Sequence, residues 1–196
     1  MDLFLASESP RRRELLAGII KDFKVEAAAV EEVAAFTAIG AESLAEINAR
    51  LKAEAVADRH PADWVLGADT IVTLEERIFG KPRDIAEARE FLRMLSGKEH
   101  KVLTGVCLIN RELAQQIEFV AQSLVRFRRL DEESITHYLQ RVYVLDKAGA
   151  YGIQEHGDIL VESIDGELEN IIGLPVGDLA GLFRKVGILP AAEYGE

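Results

Sequence analysis

Asp69 stands inside Val65-Leu66-Gly67-Ala68-Asp69-Thr70-Ile71-Val72, an otherwise largely apolar run. A buried carboxylate without a partner is costly, so this group must be ionically paired, bound to a metal or solvated in a cleft. Gly67 and Ala68 leave room beside it, as expected where a ligand approaches a strand. The plainer reading is an aspartate at a strand end, satisfied by neighbouring amides. A second concentration of charge is Arg11-Arg12-Arg13, directly after Ser9-Pro10. A hydroxyl followed by proline is a helix-start signature. Cations in that first turn oppose the helix dipole, by roughly 0.3–1 kcal/mol where exposed. A bound phosphate would reverse the sign, whereas a solvated basic face would need no ligand at all.

Other groups extend this chemistry. Glu31 or Glu32 can join Asp69 as an oxygen ligand for Mg²⁺ or Mn²⁺, ions that take few protein ligands; an exposed loop explains the pair equally well. Lys81 in FGKPRD precedes a proline, so its backbone is extended and can aim the charge into a cleft. Lys52, on a predicted helix, by itself reads as a surface lysine. In DKAGAYGIQ, Gly149 and Gly152 flank Tyr151, with Gln154 beyond. The carboxamide of Gln154 carries both a donor and an acceptor, matching the N3–H and O4 edge of uracil or thymine. The alternative is a structural glycine turn with Tyr151 in the core. Gly80-Lys81 is followed by Pro82, and Gly97-Lys98 by Glu99, so neither a Walker A loop nor a Rossmann fingerprint is present. The four histidines are dispersed, without metal-ligand spacing.

The elements that must position these groups alternate between strand and helix. Residues 2–6 and 64–73 read as strands, and 75–77 turn the second back into Ile78-Phe79. Longer strands are expected at 101–110 and 116–129. Helices are expected from Ser9, over 42–58 (face Leu44, Ile47, Leu51 and Ala55), from Asp84 to Ser96-Gly97, from Asp131 and from Pro175. Residues 158–164 and 168–172 read as a hairpin around Asp165-Gly166. The sheet should be mixed, because several strand pairs are hairpins.

A chain of 196 residues with 48% apolar content has material, over 1–196, for one α/β domain or for two small lobes around a shared sheet. A net charge of −11 argues against nucleic acid and acidic membranes as partners. With Cys107 the only cysteine, intrachain disulfides and thiolate-rich zinc sites are excluded. No apolar run has transmembrane length and the N-terminus is unlike a signal peptide, so a soluble, intracellular protein is expected.

Taken together and in order, LASESPRRRELL, VLGADTIV, FGKPRD, LSGKEHKVLTGV, DKAGAYGIQ and IIGLPV resemble the Maf family of nucleoside triphosphate pyrophosphatases over nearly the whole chain. The resemblance implies an inosine triphosphate pyrophosphatase-like fold: an elongated, twisted mixed sheet, flanking helices and two lobes around a cleft. It also implies cytoplasmic hydrolysis of a nucleoside triphosphate to monophosphate and pyrophosphate, aided by a divalent cation (Mg²⁺ or Mn²⁺), in a homodimer.

By the same resemblance Asp69 is the proton acceptor, and Arg11, Thr70 and Gln154 mark the dTTP/UTP branch. Ser7, Arg12, Lys52 and Lys81 match phosphate-site positions, and Glu32 a metal-site acid shared with Asp69. The chain departs from the family pattern at Leu51, where glutamate is usual, and at Glu155-His156, where a glycine-containing pair is common. Two rival readings accompany this one. The family has been linked to arrest of septum formation, which suggests a non-catalytic nucleotide-binding regulator. The same chemistry on a purine or modified nucleotide is the other.

Overall fold

The run around Asp69 forms β3 (Trp64–Leu74), an inner strand of a seven-stranded mixed sheet. The computed structural model describes residues 1–33 and 39–190; the last residues of the expected 1–196 unit fall outside that description. β1 (Leu3–Leu5) runs parallel to β3 and to the short β2 (Lys24–Val25). On its other edge β3 pairs antiparallel with β5 (Glu99–Asn110), which pairs with β6 (Gln115–Phe127), which pairs with β7 (Val161–Asp165). β4 (Arg77–Phe79) folds back onto the end of β3.

This topology leaves a gap. On the edge away from β5, β1 covers β3 only from Trp64 to Leu66, and β4 only from Val72 to Leu74. Among the described residues, 67–71 therefore have no strand neighbour on that edge, and Asp69 and Thr70 sit in the opening. Because side chains alternate along a strand, the two consecutive residues face opposite sides of the sheet.

Asp69 faces α2 (Ala41–Ala57), whose buried stripe is Leu44, Ala45, Asn48, Ala49, Lys52, Ala53 and Val56. Of the expected face Leu44, Ile47, Leu51 and Ala55, only Leu44 is buried, and the rest of the face is rotated toward the small residues. The reason lies in the sheet. A Cβ built at Gly67 would lie 2.2 Å from the Ala49 carbonyl oxygen, and one at Gly105 would lie 2.3 Å from that of Ala45. Glycine in both strands and alanine in the helix let the two backbones approach closely. Gly105 is also the cross-strand partner of Asp69, so the close approach occurs where the carboxylate must be met.

Thr70 faces the opposite layer, made by α1 (Pro10–Ala17), α6 (Leu168–Ile172) and α7 (Val176–Lys185). Here Leu3, Leu5, Leu16, Leu66, Val106, Leu174 and Phe183 share a core. A further core beyond β4 packs α3 (Ile85–Leu95) and α4 (Glu132–Leu139) around Phe79, Phe91 and Tyr138. The expected caps form: Ser9 Oγ accepts from Arg12 N at 3.4 Å, Asp84 Oδ1 from Glu87 N at 2.8 Å, and Asp131 Oδ1 from Ser134 N at 2.8 Å.

The expected hairpin over 158–172 does not form. Residues Gly157–Leu160 make a short helix, α5, before β7, and the chain turns at Gly166 (φ 114) into α6 instead of a return strand. The helix buries Asn170, whose Nδ2 donates to Val102 O and Ser123 Oγ. Bonds to the sheet from a side chain replace the ladder bonds a strand would have made. Among the described residues, no helix is long and apolar enough to cross a membrane.

Candidate active site

The gap in β3 opens into a cavity of about 600 Å³, lined by Ser7, Arg11, Arg12, Glu32, Lys52, Asp69, Thr70, Lys81 and Gln154. On one side of the sheet, Asp69 is 8% exposed. Its Oδ1 accepts from Lys52 Nζ at 2.7 Å, and its Oδ2 accepts from Asn48 Nδ2 at 3.3 Å. Both donors come from α2, one turn apart, so helical periodicity brings them to one carboxylate. Lys52 Nζ also lies 2.7 Å from Glu32 Oε1. Asn48 fastens this segment, accepting from Val33 N at 2.8 Å and donating to Val33 O at 3.3 Å. Partial burial pushes the Glu32 carboxyl up, but the hydrogen bond and charge of Lys52, with Lys81 and Arg12 behind it, hold it below its usual value. Glu31 is exposed and does not line the cavity.

Across the sheet, Arg12 reaches in from the first turn of α1. Its Nε donates to Gly173 O at 2.9 Å, Nη2 to Thr70 Oγ1 at 3.0 Å and Nη1 to Ser7 Oγ at 3.4 Å. Burial lowers the guanidinium pKa, opposed by the fields of Asp69 and Glu32. Thr70 Oγ1 lies 3.0 Å from Thr104 Oγ1, which donates to Asn170 O at 3.1 Å. Arg11 takes a different direction, with Nη1 3.1 Å from Asp146 Oδ2 at the mouth. Arg13 is exposed and lies outside the cavity lining. The basic first turn is therefore divided: two arginines serve the cleft and one faces solvent.

Lys81 and Gln154 are exposed at the rim. Tyr151 is buried, its hydroxyl 2.8 Å from His100 Nε2, so DKAGAYGIQ combines a core tyrosine with a rim glutamine. Gly149 N donates to Gly80 O at 3.1 Å, which ties this loop to the one bearing Lys81.

The arrangement is a buried acid held by an ammonium beside a fork of arginine donors, in a cleft with room for a nucleotide. The sequence profile described as Maf-like protein matches residues 2–186. The chain belongs to the Maf family. This Maf protein is 48% identical over 179 residues to the dTTP/UTP pyrophosphatase of Bacillus cytotoxicus, with 89% of this chain and 90% of that protein covered. It is 44% identical over 186 residues to the dTTP/UTP pyrophosphatase of Myxococcus xanthus, covering 95% and 93%. The Staphylococcus aureus Ham1 protein shares the fold, with a TM-score of 0.56 at 16% identity over 95% of this chain and 100% of that one.

Three further groups shape the Maf cleft without having stood out in the sequence. Asn48 had a signal, being polar on a stripe of alanines and one helical turn before Lys52. Thr104 had none: its pairing with Thr70 follows from strand register. Lys147 is buried on the loop behind Gln154.

Proposed function

We propose that this protein is a nucleoside triphosphate pyrophosphatase that hydrolyses dTTP and UTP to the monophosphate and pyrophosphate. The observation that carries this reading is Asp69, buried yet facing a nucleotide-sized cleft, with cationic groups arriving from α1 and α2. The substrate class is that of relatives which match nearly end to end.

In this reading, water attacks the α-phosphorus while Asp69 accepts its proton. The bond from that phosphorus to the bridging oxygen breaks, and pyrophosphate leaves in line with that bond's electron pair. Asp69 Oδ1 stays with Lys52, and Oδ2 retains a lone pair for the water beside its long contact to Asn48. Lys52 thereby fixes the carboxylate, while Arg11, Arg12 and Lys81 neutralise charge that builds on the phosphate oxygens. Ser7 and the N-terminal end of α1 hold the polyphosphate. Thr70 and Gln154 select the base, the carboxamide pairing with the imide edge of a uracil or thymine.

The acidic groups fit a cation delivered with the nucleotide. Glu32 and Asp69 offer carboxylate oxygens, and among the described residues no cluster of three or more His, Cys, Asp or Glu stands ready to hold an ion alone. Mg²⁺ and Mn²⁺ complete such sets with phosphate and water, and when bound would supply neutralisation of the triphosphate. We further propose a cytoplasmic homodimer of this single-domain chain, as the family resemblance implies; gel filtration with light scattering tests the assembly.

The deciding experiment is pyrophosphate release from dTTP, UTP, CTP, ATP and GTP, with and without Mg²⁺ or Mn²⁺. The expected result is the highest kcat/KM for dTTP and UTP and dependence on the cation. Binding without release from any nucleotide would replace the enzyme by a regulator, and a purine preference would replace the substrate.

A further inference from the structure

We infer that Lys147 is a positioning residue for nucleotide selection, its buried ammonium tying the Gln154 loop to the Arg11 end of the cleft through Glu155 and Asp146. The side chain of Lys147 is 6% exposed. Its Nζ donates to Tyr143 O at 2.5 Å and to Asp146 Oδ1 at 3.0 Å, and lies 3.1 Å from Glu155 Oε1. An ammonium has three hydrogens, so these acceptors exhaust it. Lys147 lines the cleft, yet no donor is left for a phosphate. It acts on a nucleotide only through its partners.

Both carboxylate partners lead onward to the cleft. The second oxygen of Asp146 accepts from Arg11 Nη1 at 3.1 Å. Burial raises the Asp146 pKa, but Lys147 and then Arg11 outweigh it and hold this carboxyl below its usual value, so it stays ionised as the link between two cations. Glu155 directly follows Gln154. Gln154 is exposed at the rim, so the direction of its carboxamide depends on how firmly its backbone is held. That backbone has two anchors. Tyr138, fully buried, accepts from Gly152 N at 2.9 Å, and Lys147 grips the other end at Glu155. The lysine stem adds a third contact: a Cβ at Gly152 would lie 2.8 Å from Lys147 Cε. The glycine and the lysine therefore occupy complementary space. A charge this enclosed is held in place by its own desolvation, since moving the ammonium off either carboxylate would leave it buried with one partner fewer and no water to replace it.

The inference rests on the assignment of Gln154 to base selection, so its test includes that assignment. The kcat/KM ratio of UTP to CTP is measured for the wild type, Gln154→Ala, Lys147→Met, Glu155→Ala and Glu155→Gln, with a melting curve for each. Lys147→Met keeps the stem against Gly152 and removes the charge; it should lower the ratio by roughly tenfold. Glu155→Ala, on an exposed residue, should shift the ratio the same way, and Glu155→Gln, which keeps an acceptor oxygen, should restore most of it. A uniform fall for both nucleotides with an unchanged ratio would show a structural or direct phosphate role and overturn the inference. If Lys147→Met fails to fold, the two Glu155 variants decide alone. A ratio that falls in Gln154→Ala but holds in the Lys147 and Glu155 variants removes Lys147 only. A ratio unchanged in Gln154→Ala removes the base-reading assignment, and this inference with it.

Discussion

Asp69 Oδ1 and Lys52 Nζ stand 2.7 Å apart with both side chains 11% exposed, an ion pair shielded from water at the floor of an open cleft. Such a pair costs desolvation that its mutual attraction only partly returns, and removing one member is worse than removing both.

Asp69→Asn keeps the shape and leaves Lys52 paired with Glu32. Turnover of dTTP should fall by about 10²–10⁴-fold, the range of a positioned proton acceptor. Nucleotide affinity and melting temperature should change little. Wild-type turnover in this variant would remove Asp69 as the base.

Lys52→Met strands the carboxylate instead. It should cost about 3 kcal/mol of stability in urea unfolding as well as activity. The two variants therefore separate the chemical role of the acid from the structural role of its partner.

Arg12 spreads its guanidinium over Gly173 O, Thr70 Oγ1 and Ser7 Oγ, a planar fork that a lysine cannot copy. Arg12→Lys should lower kcat/KM by about a hundredfold. Arg13→Ala, on the solvent side of the same turn, should leave it unchanged. Equal losses in both would mean that the first turn acts only through its total charge.

Gly105 touches no substrate in the proposed reaction, yet a Cβ there would lie 2.3 Å from the Ala45 carbonyl oxygen. Gly105→Ala must push α2 off the sheet, at about 1–3 kcal/mol or more for overpacking. The same shift carries Asn48 and Lys52 away from Asp69, so kcat should fall with stability. Full kcat in a destabilised protein would show that helix and acid are not coupled.

His100 is 2% exposed and burial drops its pKa to about 4. Below the usual histidine value of about 6.5, the unfolded chain takes up a proton that the folded protein refuses down to about pH 4. Stability should therefore be fully present above that upper value and fall as pH drops through the window, by on the order of 3 kcal/mol in total. His100→Gln, which still offers Tyr151 a polar partner, should flatten this part of the pH–stability curve. An unchanged slope would assign it to carboxylates alone.

The elements that could be read from the chain are those governed by neighbours in sequence. Ser9, Asp84 and Asp131 cap helices because each reaches an amide three residues on. The expected hairpin failed where local signals were ambiguous. Asp165-Gly166 does mark a turn, but whether the next segment is strand or helix depended on Asn170 finding Val102 O and Ser123 Oγ. The buried face of α2 is not legible locally, because its larger apolar residues mark one side while Gly67 and Gly105, remote in sequence, admit the alanine side.

By itself, the sequence determined which groups were available: an acid in an apolar strand, arginines at a helix start, and a glutamine after a glycine loop. It also settled where many elements begin, since capping and side-chain alternation act over a few residues. Only the tertiary structure decided which groups meet. Lys52 finds Asp69 across 17 residues, Arg11 finds Asp146 across 135 and Arg12 finds Gly173 across 161. No local periodicity encodes such pairings. They follow from the place where β1 stops and β4 begins along one edge of β3, leaving an opening into which both faces of the sheet can present charge.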